Sequence, residues 1–270
     1  MRRVWPGLAG IALFLLVAAV LGLVIPADVL PPVWTVLARA AGLAGNGRFI
    51  ADFGATLETW AVGLGFTVLI GVPCGLVLGS VPGVRFATRA IVEFLRPIPS
   101  VALILLVSLV LGYGLRMTTT LIVYGGIWPV LYNTIAGLDD TDPLAKDTLR
   151  AFGFRRPAVL WFVSVPTAAP FIFTGIRIAS SVALILDIGT GYIAGRISGA
   201  GIGAFISDAN SGPGNTPLVL AATFWAGILG LALNALLVWV ERRILPWHRA
   251  SLGLEQEPGP GPVARLETVR

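Results

Sequence analysis

Few residues in this sequence are equipped for chemistry. One histidine, His248, and one cysteine, Cys74, stand far apart in a chain of 270 residues. Neither a histidine or cysteine metal cluster nor a nucleophile–base pair can be built from them, so no catalytic or metal-ligating residue is assigned. Cys74 lies in an apolar run and reads as a small packing residue, and His248 as a surface residue beside a basic cluster. Lys146 is the only lysine. Its neighbours Leu144, Ala145 and Asp147 are not the Gly-x₄-Gly-Lys-Ser/Thr of a phosphate-cradling loop. No cofactor is expected on this chain. One acid, Asp187, stands well inside a long apolar run. A carboxylate at that depth is costly and faces a polar interior. It either lines a path or gate, or packs helices by bonding a hydroxyl such as Ser180, Ser181 or Thr190. Tyr124, Trp128, Tyr132 and Asn133 are further candidates for a path lining, or for packing between helices.

A second group of residues suits protein contact rather than catalysis. Asp142-Pro143 has the form of a helix start, with an Asp cap followed by Pro at the first helical position. The helix is expected to stop at Gly153, which tolerates a left-handed backbone. A second short apolar segment follows from Pro157 and is expected to stop at Pro166. The tip between them carries Phe152, Phe154, Arg155 and Arg156. Aromatic and arginine side chains exposed together suit a docking surface. They suit an ordinary loop in the headgroup layer as well.

The elements that position these residues follow from composition. Hydrophobic residues make up 56% of the chain and charged residues 12%, and the mean hydropathy is +0.87. A soluble domain carries about 25% charged residues, so lipid must solvate much of this one. The net charge of +5 does not indicate nucleic acid, because the basic residues fall in short clusters between apolar runs. The runs are continuous, as spanning helices require, and lack the alternation of a membrane barrel. Six are expected: Leu8–Ile25, Leu57–Gly79, Ser100–Leu115, Thr118–Leu138, Ala168–Ala194 and Pro217–Val240. The first is read as an uncleaved span, because its apolar stretch is long for a secretion signal. With both termini inside, the inner segments hold Arg2, Arg3, Arg85, Arg89, Arg96, Lys146, Arg150, Arg155, Arg156, Arg242, Arg243, Arg249, Arg265 and Arg270. The outer ones hold only Arg39, Arg48, Arg116 and Arg196, which is the expected bias. The fold class is therefore all-α: a polytopic bundle of about six spans, N-in and C-in. Residues 26–56 are expected to form an external interfacial helix and loop, 80–97 a short internal loop, and 195–216 an external loop. Residues 1–251 form one transmembrane domain, and 252–270, rich in Pro and Gly from Glu255, a disordered tail.

The loop resembles the EAA motif of permease subunits of ABC importers, E-A-A-x₃-G-x₉-I-x-L-P. The pattern falls on Asp147-Thr148-Leu149, Gly153 and Val163-x-Val165-Pro166, with both alanines replaced. Leu95-Arg96-Pro97-Ile98-Pro99, Asn133-Thr134-Ile135-Ala136-Gly137, Ala169 through Arg177 and Glu241-Arg242-Arg243 are similar to the branch that imports nitrate, sulfonates and taurine. The resemblance covers roughly residues 30–249. That branch has an Ala-Glu pair near the outer end of the fifth span, where this chain has Ala194-Gly195. Gly199 to Gly203 also resembles permeases for glycine betaine or methionine. The resemblance implies a type I importer permease in a bacterial inner membrane, paired with a second permease copy, expected to be identical. It implies ATPase subunits that bind the ATP, and a periplasmic or lipid-anchored solute-binding protein. The segment 139–167 would be the coupling loop. Asp147, Arg150, Phe152, Gly153, Phe154, Arg155, Arg156 and Pro166 would carry the contact with the ATPase, and Asp187, Tyr132, Asn133 and Trp128 the path. The substrate implied is a small anion such as a sulfonate, taurine or nitrate. Glycine betaine or a thiamine precursor is the alternative within the class, and an ion-coupled secondary transporter the alternative outside it.

Overall fold

The computed structural model describes residues 31–246 together with Gly10, Val17 and Val20. Apart from those three residues the expected first span, and with it His248 and the expected tail, lies outside the described residues. Helix α1, Val33–Leu43, precedes the long α2, Gly47–Ser80. Then come α3, Pro82–Leu95, a 3₁₀ turn at Ser100–Ala102, α4, Leu103–Leu111, and α5, Leu115–Asp139. Helix α6 is Pro143–Ala151, and α7 is the helical run Arg156–Ala194. After a 3₁₀ turn, α8, Ile202–Asn210, leads to α9, Thr216–Ile244. Helices α2, α5, α7 and α9 are each long and apolar enough to cross a membrane, and α3 and the segment Ser100–Leu111 are so only together, as a pair bent by 64° at a short break.

Helix α5 lies between α2 and α7, and small residues allow the approach. A Cβ on Gly75 would stand 2.6 Å from Thr134, and one on Gly175 would stand 2.8 Å from the Pro129 carbonyl. Trp60 Nε1 donates to the carbonyl and hydroxyl of Ser180, tying α2 to α7. Trp225 Nε1 donates to the Ala40 carbonyl at 2.8 Å and holds α9 on α1.

Four expectations change. Helix α2 starts ten residues before the predicted Leu57, because Asn46 accepts from the Phe49 amide as a cap and because Asp52 and Thr56 are buried against another element. Residues 80–97 are mostly helix, not loop. Pro82 opens α3, and Pro97 and Pro99, which donate no backbone hydrogen bond, break it from α4. The segment Ser100–Leu111 rises only about 18 Å, too short to cross alone. The third change is at Pro166, which does not end a segment. The chain passes through it as α7, after a π turn at Leu160–Ser164 in which the Val165 amide bonds back to the Leu160 carbonyl. A proline ring in a regular α-helix collides with the carbonyl four residues earlier, and the wider turn offsets that register. Finally, residues 195–216 contain the packed helix α8, where Ile202, Phe205 and Ile206 are buried.

Candidate functional site

The basic end of the bundle carries the loop between α5 and α7. Asp142 accepts from the Leu144 amide at 2.8 Å, and Pro143 opens α6. The helix closes in a Schellman motif. Gly153 N–H donates to the Arg150 carbonyl at 2.9 Å, and Phe154 N–H to the Leu149 carbonyl at 3.1 Å. Gly153 sits at φ +86°, in the region where a Cβ is strained. Lys146 Nζ donates to the Leu138 carbonyl at 3.1 Å and moors α6 to the end of α5. Arg150 pairs with Asp147 at 2.9 Å on an exposed face, where the pair is screened and contributes little.

Residues 151–157 are all exposed, and Phe152 is 78% exposed. Phe154 packs edge-on against Phe162 with ring centroids 6.4 Å apart. Six of the predicted loop residues, Arg150 and Phe152 to Arg156, thus share one tip with Asp147 beside them. Pro166 lies apart, about 15 Å of helical rise beyond Arg156. Sequence reading missed the recess behind the tip, about 550 Å³, where Lys146, Arg150 and Arg156 meet Ser80 and Ser164.

Asp187 faces a separate cavity of about 180 Å³ towards the other end, with Glu58, Thr59, Thr118 and Thr190. Its Oδ2 is buried without a hydrogen-bond partner among the described residues. The three hydroxyls expected to pair with it are engaged elsewhere. Ser180 accepts from Trp60, Ser181 donates to the Arg177 carbonyl, and Thr190 donates to the backbone carbonyl of Asp187. Glu58 was missed because it stands at the polar edge of the expected span.

The remaining predicted path residues do not join Asp187. Tyr132 lies in a cavity of about 350 Å³ with Arg85, Arg89 and Glu93. Trp128 packs edge-on against Tyr124 at 5.9 Å. Asn133 donates to the Pro129 carbonyl, and its Cβ lies against Gly175.

Beside the Asp187 cavity, α8 is capped from another helix. Asp52 Oδ1 accepts from the Gly201 amide and Thr56 Oγ1 from the Ile202 amide, both at 3.0 Å. Arg48 contacts Asp208 on α8 and lies 4.0 Å from Asp52. Asp52→Ala strands the Gly201 amide in a buried place, which costs about 1–3 kcal/mol. Thermal unfolding in detergent is expected to fall for Asp52→Ala. It should fall less for Asp52→Asn, which keeps an acceptor.

Comparison with known proteins adds to this geometry. Residues 68–246 match the family model described as "Binding-protein-dependent transport system inner membrane component". The chain is 31% identical over 225 residues to the taurine transport system permease protein TauC of Escherichia coli (strain K12), covering 81% of this chain and 80% of that protein. It is 28% identical to the nitrate import permease protein NrtB of Leptolyngbya laminosa, over 71% of this chain and 67% of that one. It is 25% identical to the choline transport system permease protein OpuBD of Bacillus subtilis (strain 168), over 78% and 92%. Among solved structures, an inward-facing form of the MetNI methionine ABC transporter aligns with a TM-score of 0.57 at 20% identity, over 73% of this chain and 94% of that chain.

Proposed function

Because the chain belongs to the family of binding-protein-dependent transport inner-membrane components, as the permease of an ABC importer in the membrane, we propose that it carries a small anion, a sulfonate such as taurine or nitrate, and is driven through the loop around Gly153. Membership of this class implies ATPase and solute-binding partners, and sets aside an ion-gradient transporter. Our reading adds that two copies of this chain form the pore and that each tip seats on an ATPase.

The observation that carries the coupling role is the capped tip itself. Phe152, Phe154, Arg155 and Arg156 stand exposed at the basic end, on a helix tied to α5 by Lys146 and continuous with the α7 span through Arg156. A push on the tip is therefore delivered to two spans. Coupling of this kind requires that each position of the loop favour one state of the gate. The anion reading is supported by the taurine and nitrate permeases among the relatives.

A second reading, a quaternary amine, has its own support in the choline permease relative and in the two carboxylates, Glu58 and Asp187, that line the outer cavity. Proteoliposomes holding the permease, its ATPase and its binding protein separate the two. ATP-dependent accumulation of taurine or nitrate is expected. Accumulation of choline with neither anion would refute the anion reading and favour the amine.

A further inference from the structure

The break between α3 and α4 carries a guanidinium with no carboxylate partner among the described residues. Tyr124 donates its hydroxyl proton to the Leu95 carbonyl at 2.7 Å. Tyr124 lies fifteen residues along α5 from Asp139 at the basic end, about 22 Å of helical rise. Ser100 Oγ stands 2.8 Å from where a Cβ on Gly125 would be. Both markers put the break between α3 and α4 near the middle of a hydrocarbon core of about 30 Å.

Arg96 is the residue at that break, and its guanidinium lies 4.6 Å from the centre of the Tyr132 ring. Tyr132 itself is only about 10 Å of rise from Asp139, so the charge hangs inward from the break. Arg85, Arg89, Glu93 and Arg96 follow one another at helical spacing along one side of α3. Arg85 is paired with Asp139 at 3.0 Å and Arg89 with Glu93 at 2.8 Å. Arg96 has no carboxylate within 4 Å among the described residues. Helix α3 buries none of its residues against its own chain, and Phe86 and Phe94 stand exposed on it beside this charged stripe. An apolar side can face lipid or another helix. A guanidinium about 10 Å of rise in from the basic end and without a carboxylate partner is costly against lipid, and a watered path is the cheaper surrounding for it.

We propose that Arg96, over the face of Tyr132, is an anion subsite on the translocation path that takes a planar or tetrahedral oxyanion group: a sulfonate, a carboxylate or nitrate. The guanidinium fork donates two parallel N–H bonds to two such oxygens. Tyr132 holds the fork in place by its ring without neutralising it. Tyr132 lines a cavity with Thr88 and Glu93, and the two other cations on the stripe, Arg85 and Arg89, are paired with carboxylates. The subsite rests on the small-anion reading above and names the residue that would select for it.

The test uses the assembled importer in proteoliposomes with taurine, nitrate and choline as probes, and reads both uptake and ATP hydrolysis stimulated by liganded binding protein. Arg96→Gln is expected to cut taurine or nitrate uptake at least tenfold while stimulated hydrolysis persists, and Arg96→Lys to restore part of the uptake. Unchanged uptake in Arg96→Gln overturns the subsite and leaves the anion reading standing. A parallel loss of hydrolysis in both variants also overturns it, because that is the signature of a structural role. Wild-type uptake of choline alone overturns the subsite together with the anion reading. If Arg96→Gln does not assemble, Arg96→Lys decides alone, since it keeps the charge and loses the fork: wild-type uptake from it refutes the assignment.

Discussion

A complex carrying Gly153→Val with Phe154→Asp is expected to assemble in the membrane but to lose stimulation of ATP hydrolysis by liganded binding protein, by tenfold or more. The glycine change acts through the backbone alone. No atom lies within 4 Å of the position a Cβ would take, so no side-chain clash is involved. The strain comes from φ +86°, which a β-branched residue occupies at a cost of about 1–3 kcal/mol. The chain relieves it by opening the Schellman turn, which breaks the two bonds to the Arg150 and Leu149 carbonyls and re-aims the tip. The second change places a carboxylate where an aromatic contact is proposed, between Gly153 and the pair Arg155 and Arg156. Both residues are on the surface, so the change costs the edge-on contact of Phe154 with Phe162 and no buried core. Stimulated hydrolysis at the wild-type level would remove the loop from the coupling role, and Phe152→Ala alone should show an intermediate loss.

Gly203→Ala is expected to have the largest effect on stability. The crossing of α8 over α7 is so close that a Cβ on Gly203 would stand 2.1 Å from the Ile188 carbonyl oxygen and 2.7 Å from the Tyr192 nitrogen. Those are backbone atoms of a long helix and cannot turn aside as a side chain can. Overpacking in a core typically costs about 1–3 kcal/mol, and this contact belongs at or above the top of that range. The helices must part, and the bonds from Asp52 and Thr56 that seat the start of α8 are pulled with them. Gly189→Ala is the matched control on α7, since nothing lies within 4 Å of its added methyl. Purified protein should unfold at a clearly lower temperature for Gly203→Ala and at the wild-type temperature or slightly above for Gly189→Ala. Equal unfolding temperatures would refute the close crossing.

The parts of the fold legible in the sequence are those governed by solvent. Lipid forces helical spans, so the apolar runs at Thr118–Leu138 and Pro217–Val240 appear within a few residues as α5 and α9. Local rules also carried through. Asp142-Pro143 and Gly153 mark the start and stop of α6, because caps depend on neighbours three or four residues away. Reading failed where a polar residue has a distant partner. Asp52 and Thr56 look like loop residues until α8 is brought against them, and the Gly/Ser-rich stretch around residue 200 looks like a loop until Gly203 lets it pack.

The candidate site divides along the same line. The tip residues are contiguous, so their shared exposure was readable in order along the chain. Asp187 and Glu58 are 129 positions apart and meet only because the start of α2 lies beside the end of α7. Arg96 read as one more positive charge in an inner loop. Its meaning changed when Tyr124 and Gly125 fixed the depth of the break beside it.

By itself, then, the sequence determined the solvent and the helical class and marked out the loop proposed for coupling, since each follows from composition or from contacts a few residues long. The tertiary structure decided which charges are spent and which are free. Arg89 finds Glu93 one turn along its own helix, but whether Arg85 and Arg96 hold a partner depends on what other helices bring within about 4 Å, and no local pattern encodes that distance.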